Sequence, residues 1–103
     1  MAGSEIRQRL KVYRAIDNDV RLNALSVIAN DSDIAFNDLA KKVGVETGLL
    51  AYHIGVLKSV GLVESAYVRR SKKTSKYRLS EEGKRILKEF GLVGSTRPEK
   101  RKN

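Results

Sequence analysis

The chain has no cysteine and no tryptophan among its 103 residues, and only one histidine, one methionine and one proline. Without thiols it can form no disulfide, no zinc–thiolate centre and no cysteine nucleophile. A single imidazole offers no histidine cluster for a metal, and no carboxylate pair or Ser-His-Asp set stands out for acid–base or nucleophilic chemistry. The "GKR" at Gly83–Arg85 lacks the glycine-rich turn after a strand that a phosphate-binding loop needs. The expectation is a non-enzyme with no metal and no cofactor. Long apolar runs are missing too. None approaches the roughly 18 residues of a membrane span, and "MAGSEIRQRL" has no apolar core of a secretion signal. A soluble intracellular protein of one domain is expected, small enough that its core is modest.

Acidic residues are also scarce. Twelve Asp and Glu face 21 Lys and Arg, for a net charge of +9. The surplus is uneven. Residues 1–60 hold 8 basic and 7 acidic residues, whereas residues 61–103 hold 13 and 5. The stretch "RRSKKTSKYR", Arg69 to Arg78, has six basic residues and no acid. A surplus packed into one segment points to a polyanionic partner more than to general solubility.

The pattern of apolar residues divides the chain. "EIRQRLKVYRAI" places Ile6, Leu10, Tyr13 and Ile16 at helical spacing. Asp17-Asn18-Asp19 breaks that helix and offers caps for the next, "VRLNALSVIAN". A turn at Asp31–Asp33 leads to "IAF", long enough for one or two residues of strand. Asn37 is expected to cap "DLAKKV", which Gly44 ends, and Thr47 to cap a helix that Gly61 closes. "LVESAYVRR" and "SKYRL" flank a polar tip and read as a hairpin, with Tyr77 and Leu79 inward and Lys76 and Arg78 outward. Ser80 caps a last helix, "EEGKRILKEF". The order α-α-β-α-α-β-β-α is mainly helical with a small β-hairpin. Ala40 lies four residues before Gly44, which suits the close approach and tight link of a helix-turn-helix. Followed by a hairpin, it is a winged helix-turn-helix. Residues 1–92 form this domain, and residues 93–103 read as a basic disordered tail.

The run "IAFNDLAKKVGVETGLLAYHIGVLKSVGLVES", with "KYRLSEEGKR" after the basic tip, resembles the ArsR-type winged helix-turn-helix regulators. The shared pattern is an alanine-bearing helix, a glycine turn, and a second helix ending His53-Ile54-x-x-Leu57-x-x-x-Gly61-Leu62-Val63. A hairpin closing on Tyr77-x-Leu79 before a serine-capped helix completes it. The similarity covers about residues 18–90, and MarR-like and other archaeal winged-helix proteins share it. It implies that the second helix enters the major groove of double-stranded DNA, that the wing meets backbone or minor groove, and that terminal helices form a homodimer. The thiol clusters of the family's metal sensors are absent, so soft-metal sensing is not expected.

The residues support that reading independently. Thr47, Gly48, Ala51, Tyr52 and Gly55 share the face of their helix away from Leu50, Ile54 and Leu57, with Lys58 near its end. Small side chains let a helix axis approach base edges, and Tyr52 can reach a phosphate or a base. Arg69, Arg70, Lys72, Lys73, Lys76 and Arg78 supply the wing. Ile6, Leu10, Tyr13, Ile86, Leu87 and Phe90 are more apolar surface than one small core can easily bury; they are expected to mark a two-fold dimer contact, the alternative being that they cover the core of a monomer. His53 reads as a helix-packing histidine bonded to backbone, with metal or pH sensing as the alternative. The expected function is a cytoplasmic, nucleoid-associated regulator of transcription. A winged-helix module for RNA or the basal transcription machinery, and a protein–protein adaptor, remain the competing readings.

Overall fold

The computed structural model describes residues 2–66 and 75–91. The elements are α1 (Ala2–Ile16), α2 (Asp19–Asn30), β1 (Ile34–Ala35), α3 (Phe36–Val43), α4 (Thr47–Ser59), β2 (Val63–Ala66), β3 (Lys76–Leu79) and α5 (Glu81–Glu89). The wing-tip residues Arg69, Arg70, Lys72 and Lys73 lie outside the described residues, as does the tail 93–103.

Local sequence explains most boundaries. Asn18 is extended, and its side-chain oxygen accepts the Arg21 N–H at 3.0 Å to start α2. Ser80 does the same for α5 with Gly83 N–H at 2.9 Å, and its hydroxyl donates to the Gly61 carbonyl at 2.6 Å. One residue thus fixes both the start of a helix and the corner it rests on. Gly44 takes φ 83°, and the amides of Gly44 and Val45 both donate to the Ala40 carbonyl. That left-handed cap turns the chain from α3 into α4 within three residues.

Two expected caps are corrected. α3 begins at Phe36, ahead of Asn37, with Ala35 as an extended cap residue that makes no side-chain bond. The Phe36 N–H, the first amide of the helix, donates to the Ser75 carbonyl at 3.0 Å, so the sheet serves the start of α3. α4 starts with Glu46 extended and Thr47 already helical. The first bond is Leu50 N–H to the Glu46 carbonyl, 3.0 Å, and no side chain caps it.

The strands form one antiparallel sheet in the order β1-β3-β2, with Ile34 opposite Tyr77 and Val63 opposite Leu79. β1 therefore turns the expected hairpin into a three-stranded sheet and makes β3 its centre. This pairing places the sheet against α2 and α5. Leu25, Ile28, Leu39, Leu50, Leu57, Leu62 and Leu87 are fully buried between them. Truncating any of these leucines or the isoleucine to alanine costs about 2–5 kcal/mol. Ile86 and Leu87, assigned above to the dimer contact, are corrected here. They are 3% and 1% exposed and belong to the protomer's own core. Positions three and four residues from them fall on opposite sides, Gly83 of α5 in the core and Phe90 just past its end on the surface, which periodicity alone cannot resolve.

Candidate nucleic-acid interface

α4 buries Leu50, His53, Ile54 and Leu57 and leaves Thr47, Gly48, Ala51, Tyr52, Gly55, Lys58 and Ser59 exposed. The structure thus brings the residues singled out in the sequence onto one outward face. A Cβ built at Gly48 or Gly55 would meet nothing within 4 Å, so these glycines serve no packing inside the protomer. Tyr52 is 62% exposed, and its ring stands edge-on to His53 with centroids 5.1 Å apart. Lys58 donates to Ser65 Oγ at 2.9 Å and lies 6.0 Å from the Tyr77 ring centre, which ties the end of α4 to the sheet.

The base of the wing is more neutral than its sequence suggests. Lys76 and Tyr77 are both half-buried, so the expected outward and inward alternation is sharp only at Arg78 and Leu79. Arg78 is exposed but pairs with Glu64 at 3.5 Å and with Asp33 at 4.0 Å. Its partners come from the facing strand and from the turn before β1, which a linear reading does not place together.

His53 is 6% exposed, and its partner is not backbone as expected. The Arg21 Nη1 lies 2.9 Å from His53 Nδ1, while Arg21 Nε donates to the Ala15 carbonyl at the end of α1. One guanidinium therefore joins α1, α2 and α4. A guanidinium has no acceptor, so His53 Nδ1 must accept, and the neutral ring carries its proton on Nε2. Arg21 was missed in the sequence because it stands in a helix with no local sign of burial. No group of three or more His, Asp or Glu among the described residues could hold a metal ion.

Residues 10–90 match the model of a domain of unknown function, DUF7347. The chain belongs to this family. No curated protein matches this DUF7347 member in sequence. Its fold is found in solved structures. One is the homodimeric winged helix-turn-helix DNA-binding domain of a possible ArsR-family transcriptional regulator from Mycobacterium bovis. It has a TM-score of 0.77 and 27% identity, covering 89% of this chain and 82% of that one. A second is NolR from Sinorhizobium fredii, with a TM-score of 0.75 and 26% identity over 90% of both chains. HlyU from Vibrio cholerae shares the fold at a TM-score of 0.73 and 21% identity, over 87% and 95%. The DUF7347 member is a winged helix-turn-helix domain, similar in fold to these transcriptional regulators. Among its described residues no helix is long and apolar enough to cross a membrane.

The Arg21–His53 bond makes a pH prediction for this DUF7347 member. Burial first, and the Arg21 charge second, lower the His53 pKa below its ordinary 6.5. Among the described residues no carboxylate lines the adjoining cleft, whose charged walls are Lys11 and Arg14 of α1 and Arg21 of α2. Below about pH 6.5 the unfolded chain takes up a proton that the folded chain refuses, so stability present at neutral pH falls on acidification. His53→Gln keeps an acceptor for Arg21 but cannot titrate. Thermal melts from about pH 5 to 7.5 should show the wild type losing more stability than the variant. A difference that stays flat across this range would show that the ring does not titrate against the fold.

Proposed function

We propose that the chain is a DNA-binding regulator of transcription, acting as a homodimer in the cytoplasm and without catalytic activity. The observation that carries this reading is the exposed face of α4, small and glycine-bearing, with one exposed tyrosine, on the second helix of a helix-turn-helix. Such a face suits the major groove, about 12 Å wide, where Ala51 can meet a thymine methyl group. The neighbour from Mycobacterium bovis is a DNA-binding homodimer, which supports the same assignment. The wing, with Arg69, Arg70, Lys72, Lys73 and Lys76, adds phosphate contacts, and Arg78 spends its charge within the protein. Ile6, Leu10, Tyr13 and Phe90 form the dimer contact. Tyr13 and Phe90 already meet edge-to-face at 6.0 Å, joining α1 to the end of α5 in one apolar surface.

Affinity of the full chain for duplex DNA and for structured RNA, each measured against salt, tests the function. Duplex should bind more tightly, with log affinity falling steeply against log salt. Equal competition by RNA would favour the RNA module, and no salt dependence would favour an adaptor. Tyr52→Ala separates base reading from backbone holding. On a selected site it should cost roughly 1–3 kcal/mol, and on random duplex much less. Equal losses on both would remove Tyr52 from base readout.

A further inference from the structure

Helix α1 has three different sides. Val12, Ala15 and Ile16 face the core. Ile6, Leu10 and Tyr13 follow one another at i, i+4 and i+7 and make the apolar stripe. Arg7, Lys11 and Arg14 repeat that spacing one position on, so they make a third stripe beside it, and all three are exposed. Lys11 and Arg14 border a cleft of about 240 Å³ between α1, α2 and the end of α4. Its other walls are Ala15, Arg21, Val56 and Val60. Three cations from two helices thus converge on one concavity. None of the ion pairs among the described residues involves α1 or Arg21; their acids are Asp31, Asp33, Glu64, Glu81 and Glu82.

Two features distinguish this array from an ordinary solvated face. Arg21 is half-buried and held by the Ala15 carbonyl and by His53, so its charge stands at the cleft without a long side chain to be ordered. The cleft also borders the face assigned to DNA, because Tyr52 and Val56 of α4 and Val60 at its C-terminal cap succeed one another at intervals of four. From Arg7 to Arg14 the helix rises about 10 Å, close to three base-pair steps of about 3.4 Å. Like charges held this close repel in the free protein, and a phosphate backbone relieves them.

We infer that the Lys11–Arg14–Arg21 cleft, with Arg7 above it, is a further phosphate-binding surface, taking the sugar-phosphate backbone of the duplex beyond recognition helix and wing. The inference rests on the DNA-binding reading of the preceding subsection. In a dimer joined through the neighbouring apolar stripe, the two basic stripes stand side by side near the two-fold axis. They meet the phosphates between the half-sites, where no base is read.

The test uses the full chain and the double variant Lys11→Gln/Arg14→Gln, leaving Arg21 to brace His53. Both substituted residues are exposed, so the melt and the sedimenting mass should match the wild type. Each lost phosphate contact removes about 0.9 from the salt slope, so the dimer should lose about 2–4 units, equally on selected and random duplex. Ethylation interference at phosphates between the half-sites should vanish with it. Arg7→Gln, farther from the core, should shift the slope in the same direction by about half as much. A normally folded double variant with an unchanged slope overturns the inference. So does an unchanged slope in a protein whose melt is raised by millimolar inorganic phosphate only while Lys11 and Arg14 are present. The cleft would then serve a free phosphorylated ligand. If the wild type itself fails to bind duplex at low salt, the DNA-binding reading fails and this one with it, a result the variants are not needed to see.

Discussion

Gly83→Ala is expected to lower stability by about 3 kcal/mol, or roughly 12–24 °C in melting temperature. Gly83 is buried in the first turn of α5, where the helix rests directly on the corner at Gly61 and Leu62. A Cβ there would collide with the Leu62 carbonyl oxygen and lie 3.2 Å from its carbon. Both are backbone atoms and cannot rotate away. Nor can α5 slide, because Ser80 N–H donates to that same carbonyl at 3.0 Å and the Ser80 hydroxyl to Gly61. The contrast is with Gly48→Ala and Gly55→Ala. Their new methyl groups meet nothing, and alanine favours a helix by about 0.8–1 kcal/mol over glycine, so both should raise the melting temperature. Those two glycines sit on the side proposed to face DNA, so the same methyls should weaken duplex binding. Thermal melts of the three variants decide the matter, and a Gly83→Ala protein melting within a few degrees of wild type would show that the corner is pliable.

Leu10→Glu should convert a dimer into a folded monomer and weaken duplex binding by about 10²- to 10⁴-fold, the advantage of engaging two linked half-sites. Leu10 is 44% exposed on the protomer, as Phe90 is at 48% and Ile6 at 56%, so a carboxylate there costs the isolated fold little. Against a partner's apolar stripe it becomes a buried unpaired charge. Ile86→Glu provides the control. That position is in the core, and the same substitution should unfold the protein instead of separating it. Sedimentation gives the mass, and anisotropy with a two-half-site duplex gives the affinity. A Leu10→Glu protein that still sediments as a dimer would place the interface elsewhere.

The contrast between Leu10 and Ile86 shows where sequence reasoning stops. Both lie on amphipathic helices, both look ready to be buried, and their order in the chain does not say by what. The fold answers for Ile86 by laying α5 across β3 and the Leu62 corner. It leaves Leu10 uncovered because α1 extends past the core, with every described side chain from Gly3 to Lys11 exposed. The start of α3 has the same origin. Asn18 and Ser80 cap their helices through bonds to residues three positions away, which is chemistry a sequence displays. At the start of α3 the Phe36 amide is taken by the Ser75 carbonyl, which reaches it only once β1 has paired with β3.

What the sequence determined by itself is what short-range chemistry controls. Helical periodicity, the left-handed turn at Gly44, the serine cap of α5, the absence of thiol chemistry and the small outward face of α4 are each set by residues within a turn or two of one another. Tertiary structure decided what depends on distant parts meeting. Arg21 and His53 are thirty-two positions apart, and only the crossing of α2 and α4 makes them a hydrogen-bonded pair. Arg78 looks like a free wing cation until β2 and the turn at Asp33 bring it two carboxylates. Lys11, Arg14 and Arg21 become one cleft only when α1 folds back beside α4. A charge or a polar group carries its chemistry in the sequence. Whether that charge is neutralised, buried or left facing a partner is set by its neighbours in space, and for these residues those neighbours come from other elements of the fold.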